Sequence, residues 1–99
     1  MTLKELLEKV KLENLQKGEL EELHTAFTNL YSLLMLEKSE LEQQEAKFFL
    51  EHGEKSDVAA VRKWRGSEKG LRLIQLDNYS KVITKNMQSL KSRLYSSVY

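Results

Sequence analysis

The sequence contains no cysteine and no proline, and it has only four glycines among 99 residues. Without cysteine, the chain cannot form a disulfide framework, a thiolate zinc site or a thiol nucleophile, and this composition suits a reducing compartment. No long apolar run is present either, since the longest, residues 30–36, is far too short to span a bilayer. Residues 1–10 carry charges where a secretory signal would be apolar. We therefore expect one small, soluble, cytoplasmic domain over residues 1–99.

Charges of the two signs are unevenly distributed, although the net charge is only +1. Residues 1–56 hold seven Lys/Arg against twelve Glu, a balance of −5, and residues 57–99 hold nine Lys/Arg against three acids, a balance of +6. Two such halves either fold against each other and neutralise one another, or leave the basic half for an anionic partner. The first arrangement is the more common one in a chain of this size.

With proline absent, glycines and capping residues divide the chain into stretches of helical periodicity. Thr2 and Glu5 form a capping box that opens a short helix over residues 1–17. Gly18 is placed to end this helix, because glycine readily adopts a left-handed conformation. A long acidic helix is predicted over residues 19–52.

A turn at residues 53–56 precedes the basic half of the chain. Ser56 or Asp57 can cap the helix that follows. We predict a basic helical half over residues 56–98, with a kink or short break near 66–70 where the apolar spacing is interrupted. Two long helices joined by so short a turn favour an antiparallel hairpin.

Both long helices carry apolar residues at the heptad spacing that defines a helix seam. The predicted seam, which contacts either the other helix or another copy of the chain, consists of Leu20, Phe27, Leu34, Leu41, Phe48, Leu73, Leu76, Ile83, Met87, Leu90 and Leu94. Glu37 and Gln44 fall at alternate seam positions and narrow it, while apolar residues outside the seam widen the face beyond one partner. We therefore expect an all-α, coiled-coil-like antiparallel helical hairpin with a short N-terminal helix, assembled into a homo-oligomer.

No group of residues has the spacing of a catalytic or metal site. His24 and His52 lie on one long helix, roughly 42 Å apart at the helical rise, and cannot share a metal or a proton. Clustered glutamates are typical of solvated helix faces. The segment 66–70 lacks the spacing of a phosphate-binding loop. We expect no enzymatic activity, no cofactor and no metal.

Basic residues alternate with an aromatic residue only around the single tryptophan. This segment contains Arg62, Lys63, Trp64, Arg65, Lys69 and Arg72. If it is one helix, four of its basic residues lie on one face, where they would neutralise the phosphates of single-stranded DNA while an exposed indole stacks on a base. In the alternative, Trp64 belongs to the core and the arginine heads pair with glutamates of the long helix.

The stretch 87–95, Met-Gln-Ser-Leu-Lys-Ser-Arg-Leu-Tyr, resembles the C-terminal helix of phage recombination mediator proteins of the UvsY kind. The resemblance covers residues 45–95 and is closest at 90–93. It implies a phage-encoded, all-helical oligomer that binds single-stranded DNA in the host cytoplasm and helps a recombinase to displace the single-strand binding protein. It also adds Lys91 and Arg93 to the candidate DNA-binding residues.

Two functions therefore remain open. The first is a non-enzymatic, oligomeric, single-stranded DNA-binding protein that mediates recombination in a phage. The alternative is a protein-interaction module, such as a phage-encoded inhibitor of a host defence system or a structural adaptor, that acts through its helical surface. The partners would be another copy of the chain, DNA, a recombinase or a host protein, and neither function involves a membrane.

Overall fold

A computed structural model describes residues 2–53 and 57–96, and within them it contains four α-helices and no strand. The helices are α1, Leu3–Val10; α2, Lys17–His52; α3, Val58–Arg65; and α4, Glu68–Ser96. The prediction of an all-α fold is confirmed. None of these four helices combines the length and the apolar character that crossing a bilayer requires.

The chain's internal contacts divide it into two compact units. Unit 1 consists of the residues up to Leu33 together with those from Ser80 onward, and unit 2 consists of Leu34–Tyr79. In each unit a part of α2 packs closely against a part of α4, as a helical hairpin requires. The helical hairpin is therefore confirmed, whereas homo-oligomerisation stays a prediction.

The predicted apolar seam supplies most of the buried core. Its buried members are Leu20, Phe27, Leu34, Leu41, Leu76, Ile83 and Leu90. The other four, Phe48, Leu73, Met87 and Leu94, are half-buried. Leu6 completes the core of unit 1 from α1, and Trp64 joins that of unit 2 from α3. Burial of these side chains is the main force that holds α2 and α4 together.

The first helix begins as predicted and ends earlier. Thr2 Oγ1 accepts the backbone N–H of Glu5 at 3.2 Å and donates to its carboxylate, also at 3.2 Å, which is the expected capping box. The helix stops at Val10, however, and Gly18 lies in the first turn of α2. The prediction that Gly18 closes a helix over 1–17 is wrong, because a side chain from α4 takes the carbonyl groups at the end of α1.

The second helix spans Lys17–His52, two residues longer than predicted, and Gly53 follows it with a positive φ of 133°. A Cβ at Gly53 would lie 2.8 Å from Oδ2 of Asp57, so glycine suits this turn on both counts. Asp57 is the cap of α3, since its Oδ1 accepts the N–H groups of Ala59 and Ala60 at 3.0 and 3.3 Å. The alternative cap, Ser56, lies outside the described residues.

The predicted break in the basic half lies at Gly66–Ser67, between α3 and α4. Ser67 Oγ donates to the Trp64 carbonyl at 2.6 Å and accepts the N–H of Gly70 at 3.1 Å, so one hydroxyl joins the two helix ends. A Cβ at Gly70 would lie only 1.9 Å from the Trp64 carbonyl oxygen. Gly70 is therefore what allows α4 to begin so close to α3.

Candidate nucleic-acid interface

Trp64 lies in the core of unit 2. It is 5% exposed, and its ring packs against that of Phe48 with the centroids 5.4 Å apart. Phe48 in turn stacks on the ring of His52 at 4.5 Å, with the planes only 10° apart. The prediction of an exposed indole that stacks on a base is wrong, because indole is the largest apolar surface in the chain and is most stable when buried. The alternative, in which Trp64 is part of the core, is confirmed.

The predicted stripe of basic residues does not form one helix face. Arg62 and Arg65 belong to α3, whereas Lys69 and Arg72 belong to α4, and the turn at Gly66–Ser67 separates them. The spacing of three, four and three residues predicts a common face only for an unbroken helix. The interruption changes the direction of the backbone, so this part of the prediction is wrong.

Arg72 joins α4 to α2. Its Nε and Nη2 donate to the two carboxylate oxygens of Glu37 at 2.5 and 3.0 Å, and its Nη1 donates to Oε1 of Gln75 at 2.6 Å. The hydrogen bond from Arg72 lowers the pKa of Glu37 below its usual value, and the same hydrogen bond raises the pKa of Arg72. All three guanidinium nitrogens thus have protein acceptors, as expected for an arginine that pairs with the long helix.

Arg93 closes the end of α1. Its Nη1 donates to the carbonyl of Val10 at 2.9 Å and its Nη2 to the carbonyl of Leu12 at 2.8 Å. These are carbonyl groups that a helix end leaves without intrahelical partners. Lys91 is exposed and lies with its Nζ 5.9 Å from the ring centroid of Tyr95. Of the two candidates added by the resemblance, only Lys91 therefore has its charged group free of backbone acceptors.

Four basic residues around the turn between α3 and α4 remain exposed. We name them the basic corner; they are Arg62, Lys63, Arg65 and Lys69. None of them makes an ion pair or a side-chain hydrogen bond with any residue in 2–53 or 57–96. Between residues 62 and 69 the only acidic side chain is that of Glu68, so the corner carries a clear excess of positive charge.

Two open grooves of unit 2 flank Trp64. The first has a volume of about 390 Å³ and is lined by the apolar side chains of Phe49, Val61 and Ile74, with Arg65 at the same site. The second has a volume of about 320 Å³ and includes Lys69 of the basic corner. The positive surface of unit 2 is therefore adjacent to concave surface on both sides of the indole.

Large apolar side chains are also exposed on several helices. They are Leu12, Leu33, Leu36, Leu50, Val58, Leu71, Ile74, Val82 and Tyr95. Leu50 is 87% exposed, far more than a core residue of a hairpin would be. Among the described residues, no three His, Asp or Glu side chains converge in a way that could hold a metal ion. The chemistry on offer is that of a binding surface.

Comparisons with protein-family models, with curated proteins and with solved structures found no match. The case for a function consequently rests on the side chains described above. The resemblance of residues 87–95 to the UvsY kind stays a prediction.

Sequence reasoning missed two features of this region. It placed Gln44 in the seam without a role, whereas the structure places its amide in the groove beside Lys69. It also had no means of finding that Arg93 caps α1, because the two are joined only through tertiary packing. The polar interruption at Glu37 and Gln44 was the available signal for the first feature.

Proposed function

We propose that this chain is a non-enzymatic helical protein that binds single-stranded DNA through the phosphates, using the basic corner. The observation that supports this proposal is that Arg62, Lys63, Arg65 and Lys69 are exposed and have no ion-pair partner among the described residues. Cations without acidic partners are free to replace the counterions of a nucleic acid. Because Trp64 is buried, this binding does not include stacking of a base on an exposed indole face.

The number of free cations limits the strength of this binding. Each phosphate of a single strand that is neutralised contributes about −0.7 to the slope of log affinity against log salt, so four contacts give about −2.8. A fourfold rise in salt then weakens binding by about 50-fold. We expect a single copy to bind weakly, and several copies in one oligomer to bind more tightly through avidity.

The finer role that we propose is that of a phage-type recombination mediator, a homo-oligomer that helps a recombinase to displace the single-strand binding protein. The similarity of residues 87–95 to such mediators supports this role. Self-association is supported by exposed apolar side chains such as Leu33, which is 65% exposed, and Leu50. An oligomer would bury part of this surface and repeat the basic corner at regular intervals.

A titration of the protein into a fluorescently labelled oligonucleotide, followed by anisotropy at about 50 mM salt, tests DNA binding. The double variant Arg62→Ala/Arg65→Ala removes two of four cations, so its affinity should fall by at least about tenfold. The matched control is Lys4→Ala/Lys17→Ala, which also removes two exposed positive charges, outside the basic corner. Equal affinities of the two double variants would contradict the proposal.

The exposed apolar side chains favour a second candidate function, a protein-interaction module that acts through its helical surface as an inhibitor or adaptor. Such a module would recognise its partner by burying residues such as Leu50 and Val58, which are 87% and 64% exposed. Absence of DNA binding at about 50 mM salt would leave this candidate as the preferred one.

A further inference from the structure

The groove beside the basic corner combines apolar, amide and cationic side chains. It has a volume of about 320 Å³, within the range of small-molecule sites. Gln44, Lys47 and Phe48 line it from α2, Trp64 from α3, and Lys69 from α4. All of these residues belong to unit 2. The groove thus has fixed helical walls, which suits a site for a small planar group.

The amide of Gln44 lacks a hydrogen-bond partner. Its Oε1 is buried and has no partner among the described residues, although almost every buried polar atom in a folded protein has one. Exchanging the oxygen and nitrogen of the amide would leave an unpartnered NH₂ group at the same place. A buried polar atom without a partner that lines an open groove is suited to bind a ligand.

The charges around the groove favour an anionic ligand. Lys47 and Lys69 both line it, both are exposed, and neither is ion-paired to a described residue. Glu51 also lines the groove, so the three charged side chains together carry one positive charge. The ligand that matches these features has an N–H donor for the amide oxygen, a planar apolar body and at least one negative charge.

We propose that this groove binds one nucleotide of the single strand, with the base against the edges of Phe48 and Trp64 and its N–H donated to Oε1 of Gln44. Lys47 and Lys69 contact the flanking phosphates. Each of the four bases has an N–H group on its pairing edge, so such a contact does not select one sequence. This inference rests on the proposed function and adds to it a site that contacts the base.

The first experiment uses mononucleotides and does not depend on binding of the polymer. Proton–nitrogen correlation spectra of the labelled protein are recorded during titration with thymidine monophosphate and, as the matched ligand, deoxyribose 5-phosphate. We expect the Gln44 side-chain amide and the Trp64 indole N–H to shift in a saturable manner with the nucleotide and not with the sugar phosphate. Equal shifts with both ligands, or no shift with either, would overturn the inference.

The second experiment measures binding of an oligonucleotide of about 15 residues and of an abasic phosphodiester chain of the same length. Gln44→Leu should lower affinity for the oligonucleotide about fivefold, the effect of one lost hydrogen bond, and leave affinity for the abasic chain unchanged. Gln43→Leu is the matched control, since Gln43 is exposed and does not line the groove. Circular dichroism confirms that both variants are folded.

The outcomes separate this inference from the proposed function. If the wild-type protein binds both polymers equally and Gln44→Leu changes neither affinity, the groove is not a base site, and phosphate binding stands. If neither polymer binds at about 50 mM salt while thymidine monophosphate shifts the Gln44 amide, the groove stands and the DNA-binding function fails. If no polymer binds and no nucleotide produces a shift, both are wrong.

Discussion

Two glycine-to-alanine substitutions should change the stability of this protein in opposite directions. At Gly70 the new Cβ would lie 1.9 Å from the Trp64 carbonyl oxygen, and real Cβ atoms stay at least 3.0 Å away, so the backbone must open by 1.1 Å. That shift disturbs Ser67, whose hydroxyl bonds to the same carbonyl at 2.6 Å, and loosens the packing of the indole. We expect Gly70→Ala to cost about 3 kcal/mol, the upper range for overpacking.

Gly18 provides the matched control, because it lies in the first turn of α2 and a Cβ there would meet no atom within 4 Å. Gly18→Ala should gain about 0.5 kcal/mol, since alanine restricts the unfolded chain and favours a helix. Thermal unfolding followed by circular dichroism measures both: for a chain of this size we expect the Tm to fall by about 15 °C for Gly70→Ala and to rise by about 3 °C for Gly18→Ala. A Gly70→Ala variant as stable as wild type would refute the close approach of α3 and α4.

Three further substitutions test the contacts that position the site. Arg93→Ala should cost about 2 kcal/mol by removing two hydrogen bonds to the end of α1, and hydrogen exchange should show faster exchange of the α1 amides. Glu37→Gln should cost less than about 1 kcal/mol, because the pair with Arg72 is 39% exposed on each side. The pKa of Glu37 is lowered by folding, so its contribution is present above its unfolded pKa and is lost as pH falls through the folded value; stability measured against pH should therefore be less acid-sensitive in Glu37→Gln. Gln44→Leu should raise the Tm in the absence of DNA, because it removes a buried amide oxygen without a partner.

The parts of the fold that the sequence predicts are those that depend on local spacing. Heptad positions such as Phe27 and Leu76 are buried, since an amphipathic helix can bury only its apolar face. Asp57 caps α3 because its side chain reaches amides only two and three residues ahead. Such interactions involve neighbours in the chain, and the residue types alone are enough to indicate them.

The parts that could not be predicted depend on contacts distant in sequence. Residues 11–16 are not helical, and Arg93, far along the chain, takes the carbonyls where α1 ends. The burial of Trp64 follows from the break after α3, which turns its indole toward Phe48. Periodicity located that break near 66–70, but it could not indicate which face α3 would present to α2.

The measurement that tests the central claim most directly is the salt dependence of binding to single-stranded DNA. The slope of log affinity against log salt should be about −2.8 for the wild-type protein and about −1.4 for Arg62→Ala/Arg65→Ala, because two of the four phosphate contacts are lost. A wild-type slope near zero, or the same slope in both proteins, would show that the basic corner does not bind the DNA backbone.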